Sequence, residues 1–141
     1  MDTELLAIVC DQDVSNLQTT PAVVHDYVAL WVVDDHYPVL QPSVGAITQG
    51  LIIRQLSEET LDRIVFFEGG EFSVQTIEVV TACGTREQVQ YFADNAIKPV
   101  SDQLWQLGHW QRTTRADTLP RVRRYMQCYG KLSVEEADAY W

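Results

Sequence analysis

Chemistry in this sequence is best served by an acid at the end of a helical stripe. Glu68 closes the stretch Ser57-Glu58-Glu59-Thr60-Leu61-Asp62-Arg63-Ile64-Val65-Phe66-Phe67-Glu68-Gly69-Gly70. Ser57 is a good N-cap, and Glu58 and Glu59 in the first turn favour the positive end of the helix dipole. Leu61, Ile64 and Val65 recur at the spacing of one buried helical face, and Glu68 occupies the next position on that face. Gly69 and Gly70 then stop the helix. An inward-facing carboxylate at a helix C-terminus is disfavoured as an anion by desolvation and by the negative end of the dipole. Both effects carry its pKa towards neutrality, where a general base or acid works best. A glutamate in a last turn is also commonly just solvated, and the spacing alone leaves both readings open.

Few other residues compete. His25, His36 and His109 are scattered without ligand spacing, and Asp11-x-Asp13 reads as a solvated loop, so no metal is expected. Neither a Gly-rich phosphate loop nor a Gly-x-Ser-x-Gly elbow occurs. Arg121, Arg123 and Arg124 form a basic cluster that reads as a solvated helix face. Trp105, Trp110, Tyr125 and Tyr129 read as core or interface packing.

Composition narrows the function classes. A chain of 141 residues suits one domain with a real core. A net charge of -10 argues against nucleic acid or an anionic membrane as partner. Residues 1–97 carry 15 acids against 3 bases, whereas residues 98–141 carry 5 against 7, so the C-terminal segment has charge of the opposite sign to lay against the rest. No apolar run reaches the length of a membrane span, and no signal peptide is visible. The odd cysteine count (Cys10, Cys83, Cys128) suits reduced thiols and a cytoplasmic setting.

The elements that must position Glu68 are set by the pattern. A helix is expected over residues 1–10, capped by Asp2 or Thr3. Strands are expected over residues 22–33 and 46–53, the second with Gly50 as a bulge or pocket border. After the helix of residues 57–68 come strands over 71–82 and 88–93, joined by Cys83-Gly84-Thr85. Residues 101–111 and 119–129 read as helices, the latter with Pro120 in its first turn and Asp117 or Thr118 as its cap. Ser133-x-x-Glu136 is a capping box announcing a third helix, cut short by the end of the chain. Together these predict an α+β fold, a mostly antiparallel sheet with flanking helices and a helical tail. Lys98-Pro99 marks the expected boundary between residues 1–97 and the helical extension 98–141, which is expected to dock on the sheet domain or on a partner.

The motifs also resemble a known family. Leu61-Asp62, Phe67-Glu68-Gly69 and Glu71-Phe72 are similar to the signature of the gamma-glutamylcyclotransferase-like family, in which Leu-Asp, a spacer and Phe-Glu-Gly precede a strand opening with Tyr. Asp26-Tyr27, Tyr37-Pro38, Gly45-Ala46-Ile47-Thr48-Gln49-Gly50 and Val89-Gln90-Tyr91 match in order, over residues 1 to about 93. The resemblance implies a small, twisted, barrel-like sheet. It also implies an acyltransferase that cyclises a small gamma-glutamyl amine or amide to 5-oxoproline, without cofactor or metal. Glu68 would be the general acid/base, with Tyr37, Gly50, Gly69 and Phe72 at the substrate. Three departures accompany it. The Tyr-Gly-(Ser/Thr)-Leu strand and loop usual at the start of the family are missing, and Met1-Asp2-Thr3-Glu4-Leu5-Leu6 resembles the segment that comes immediately after them. Phe72 stands where Tyr is common, and Ser73 where Arg is common; with the loop also missing, little or no turnover is expected of the chain as it stands. A non-catalytic binding or regulatory domain on the same fold, within a longer protein, is the alternative.

Overall fold

The computed structural model describes residues 2–141. It is an α+β structure with a five-stranded antiparallel sheet that does not close, and five α-helices. The chain divides into two compact units, each gathered from separated stretches. A helical unit takes the chain up to Gln18, Gln55–Gly70 and Leu107–Trp141; a sheet unit takes Thr19–Arg54 and Glu71–Gln106. This division crosses the boundary expected at residue 97, because the segment after Lys98 first completes the sheet.

Among the described residues, five α-helices shape the helical unit around its core. α1 (Thr3–Cys10) is capped by Asp2, whose carboxylate accepts the Glu4 and Leu5 amides. Met1 lies outside the described residues. α2 (Glu58–Glu68) is capped as expected by Ser57, which accepts the Thr60 amide at 3.1 Å. After α3 (Leu107–Thr113), α4 (Arg115–Met126) supplies the buried Val122, Tyr125 and Met126, which pack with Val9, Cys128 and Ala137. The short α5 (Val134–Ala137) carries the full reciprocal capping box of Ser133 and Glu136. Arg63, largely covered, reaches from α2 to the carbonyls of Val9 (2.8 Å) and Ile8, satisfying acceptors that the end of α1 leaves orphaned. Its guanidinium lies 4.9 Å from the Tyr129 ring centroid.

In the sheet unit the order is β2 (Pro38–Arg54), β1 (Gln18–Val32), β3 (Phe72–Thr81), β4 (Arg86–Asp94), with β5 (Val100–Leu104) also on β1. One side of the long β1 serves two partners. Ala22 and Val23 pair with Thr81 and Val80 of β3, while Leu30 and Val32 pair with Leu104 and Val100 of β5. Between those ladders Asp26 sits at φ 61°, and its carboxylate accepts the amide of Gly45, itself at φ 82°. This irregularity is what lets one strand change partner. Inside, Ala22, Val24, Ile77 and Val79 are buried with Leu40, Ile52, Val89 and Tyr91 against them.

Three local expectations are corrected. Residues 101–111 are not one helix: Val100–Leu104 is a strand on β1, and those ladder bonds outweigh the weak helical spacing of Leu104 and Leu107. α4 begins at Arg115 rather than near residue 119, so Pro120 lies inside it, with no N–H for the carbonyl four residues back. Thr118 is buried within that helix, its hydroxyl bonded to the Thr114 carbonyl at 3.0 Å, and neither it nor Asp117 is the cap.

Candidate functional site

The last turn of α2 is built around its own aromatic pair. Phe66 and Phe67 face the α4 side chain Tyr125, with ring centroids 5.2 and 6.4 Å away, and Phe67 also meets Trp141 at 6.1 Å. Leu61 and Val65, expected to be buried, are 40% and 46% exposed. The covered side of the helix instead runs through Thr60, Ile64 and Phe67, one position round from the expected stripe. The reason is the Phe-Phe pair, whose larger area outweighs the aliphatic spacing.

Glu68 follows that pair. The residue is half-buried, and burial pushes its carboxyl up to about 7. Among the described residues it has no hydrogen-bond or ion-pair partner to offset the loss of water. Its carboxyl is therefore a group that both takes and gives a proton near neutral pH. Gly69 ends the helix at φ 64°, ψ -163°, a region open essentially to glycine alone, with its amide bonded to the Val65 carbonyl. A Cβ there would stand 3.5 Å from Val134 and 3.8 Å from the Tyr125 hydroxyl.

Other residues expected at the substrate stand in the sheet unit. Tyr37 is half-buried and already engaged: its hydroxyl donates to Glu71 and receives from Lys98 at 3.2 Å. Phe72 stacks edge-on against Tyr37, centroids 5.9 Å apart. Gly50 is exposed in a strand with nothing within 4 Å of a Cβ position; the backbone irregularity of β2 lies at Gly45 instead.

The cluster around Tyr37 is new at the level of structure. Lys98 bridges Asp35 (2.9 Å) and Glu71 (2.7 Å), tying the β1–β2 turn to the start of β3. Burial works against the lysine charge, but the bonds to Glu71, Asp35 and Tyr37 outweigh it and hold Lys98 above its usual range. Burial, with the bond to Glu71, likewise raises the Tyr37 hydroxyl. Every member is satisfied, so the cluster reads as a structural tie. No sequence signal could have found it, since its members come from three separated stretches of the chain. At the β3–β4 turn, hydrogen bonds with Thr81 and Thr85 bring the exposed Cys83 thiol down to about 7.

An open groove of about 810 Å³ in the helical unit is lined by Glu4, Asp11, Arg63, Arg123 and Lys131 among others, and Glu68 is not among them. Among the described residues no His, Cys, Asp and Glu side chains are grouped to hold a metal, and no helix is long and apolar enough to cross a membrane.

No protein-family model and no curated protein sequence matches the chain. Two solved structures from Arabidopsis thaliana share its fold. The solution structure of At3g28950.1 has a TM-score of 0.62 at 23% identity, over 93% of this chain and 78% of that one. The solution structure of At5g39720.1 has a TM-score of 0.58 at 18% identity, over 92% of this chain and 87% of the other. At these identities the likeness is one of fold alone.

Proposed function

We propose that the chain acts as a gamma-glutamylcyclotransferase-type catalyst, with Glu68 as its general acid/base. The observation that carries this reading is the half-buried, partnerless carboxyl at the end of α2, with a pKa of about 7. Glu68 takes a proton from the alpha-ammonium of a gamma-glutamyl amine or amide. The freed nitrogen attacks the gamma-carbonyl carbon of the same molecule, forming the ring C–N bond. Glu68 returns the proton to the leaving nitrogen as its C–N bond breaks, and the second proton shed by the ring nitrogen leaves with the amine as its ammonium form, giving 5-oxoproline. Ring closure is intramolecular, so positioning supplies much of the rate and the proton balance closes on one residue. The reading rests on Glu68 alone and asks nothing of Tyr37, whose hydroxyl is engaged elsewhere. A cytoplasmic setting accords with it, since Cys10, Cys83 and Cys128 are all free thiols.

The test is release of 5-oxoproline from a panel of gamma-glutamyl compounds, comparing the chain with Glu68→Gln, and with melting as the control for folding. Turnover that the substitution abolishes supports the reading; turnover equal in both overturns it. One observation favours a second reading, a non-catalytic binding domain. Val44, Ile47 and Leu51 on the terminal strand β2 are 99%, 60% and 44% exposed. No release from any compound, with the fold intact, would favour that alternative.

A further inference from the structure

The cluster behind Glu68 holds one side chain whose placement exceeds the needs of packing. Tyr125 of α4 is 3% exposed, and its ring covers both residues that precede Glu68. Its hydroxyl donates to the carbonyl of Phe66 at 3.1 Å. That carbonyl belongs to the last turn of α2, where the intrahelical ladder is running out. The same hydroxyl stands 3.8 Å from where a Cβ on Gly69 would be. Tyr125 thus bonds the chain just before the carboxylate and stands beside the glycine just after it.

We propose that Tyr125 is the positioning residue for Glu68, its hydroxyl fixing the turn from which the carboxyl projects. This rests on Glu68 being the proton-transfer group proposed above. The bond does two things. It removes the rocking freedom of a terminal turn, so the carboxyl is presented in one orientation. It also ties up a carbonyl that would otherwise add to the negative end of the helix beside Glu68. Of the charged groups on the surrounding elements, Arg63 is committed to the α1 carbonyls, Arg123 to Glu4, and Glu136 to the amide of Ser133. None of them pairs with Glu68, so the carbonyl is the polar group whose state the Tyr125 hydroxyl controls.

Tyr125→Phe removes the hydroxyl and keeps the ring. Tyr129→Phe is the matched control, because its ring also packs on Phe66 (5.5 Å) but no hydrogen bond runs from it to α2. The measurement is the Glu68 carboxyl titration, followed by carbon NMR on isotope-labelled protein, beside 5-oxoproline release across pH. In Tyr125→Phe the Glu68 midpoint is expected to move up by about 0.2–0.7 units, the size of a helix-end interaction. Turnover should fall about five- to tenfold with KM within twofold, the size of one hydrogen bond. Tyr129→Phe should leave the Glu68 midpoint where it was. A midpoint that stays put in Tyr125→Phe, or moves equally in both variants, overturns the proposal. Should the unsubstituted chain release no 5-oxoproline while the midpoint still moves in Tyr125→Phe alone, the catalytic reading fails and the positioning stands.

Discussion

Glu68 in the helical unit and Glu71 in the sheet unit are near neighbours in sequence and have opposite surroundings. Glu71 shares Lys98 with Asp35 and accepts the Tyr37 hydroxyl, so its charge is answered on every side. The helical unit also answers some of its acids, as Arg115 does for Asp2 and Glu4. Burial would raise Asp2, but hydrogen bonds from Gln111, the Leu5 amide and Arg115 prevail and hold it below the usual range. Glu68 alone among these acids is withdrawn from water without compensation. The difference teaches where to look for chemistry: a paired carboxylate is stable as an anion and inert, whereas an unpaired buried one stores a demand for a proton.

Breaking the contrast at Glu68 should have the largest effect. Glu68→Gln keeps the shape of the side chain but cannot accept a proton, so 5-oxoproline release should fall by about 10²–10⁴-fold. In the unsubstituted chain release should rise with pH through an inflection near 7, as the base deprotonates. The same variant sharpens the contrast in stability. A folded-state pKa raised from 4.5 to about 7 means that the native state binds the proton more tightly than the unfolded chain. Stability from this group is therefore present below pH 4.5 and lost as pH rises through 7. Chemical unfolding should show Glu68→Gln gaining on the parent across that window by about 3 kcal/mol, then levelling. A pH-independent difference would mean that Glu68 is not desolvated.

At the paired end of the comparison, Lys98→Met leaves Asp35, Glu71 and Tyr37 without their cation. The lysine is partly exposed, so the loss should be about 2 kcal/mol near neutral pH. An unchanged melting temperature at pH 7 would show that solvent already screens the cluster. The smallest effect is expected at the helix stop. Gly69→Ala should cost about 1–2 kcal/mol for its backbone conformation, whereas Gly70→Ala, with open space around it, should be nearly neutral. Equal melting of the two variants would contradict a glycine-only conformation at residue 69.

Local signals account for the part of the fold that is legible in the sequence. Ser57, Asp2 and the Ser133–Glu136 box announce helix starts because capping is settled within four residues. Glu68 and its stop at Gly69 are visible for the same reason. Which face of α2 is covered is not, because Phe66 and Phe67 are ordered by Tyr125, a partner far away in sequence. Residues 101–104 read as part of a helix because their strand character comes from a ladder with β1, not from their own side chains. The Lys98 cluster is invisible on the same ground: each member is an ordinary polar residue until the fold brings them together.

The scattered make-up of the helical unit has a consequence for how the protein comes into being. Its three stretches lie at the beginning, the middle and the end of the chain, with the whole sheet unit threaded between them. During synthesis the strands β1 to β5 are all available before α4 has emerged, so hairpin pairing such as β3 with β4 has a head start. The turn bearing Glu68 meanwhile waits for Tyr125, and long-separation contacts of this kind are the slow ones. A nascent chain released early would thus carry a nearly complete sheet and an unrestrained glutamate, its proton affinity still that of a residue in water.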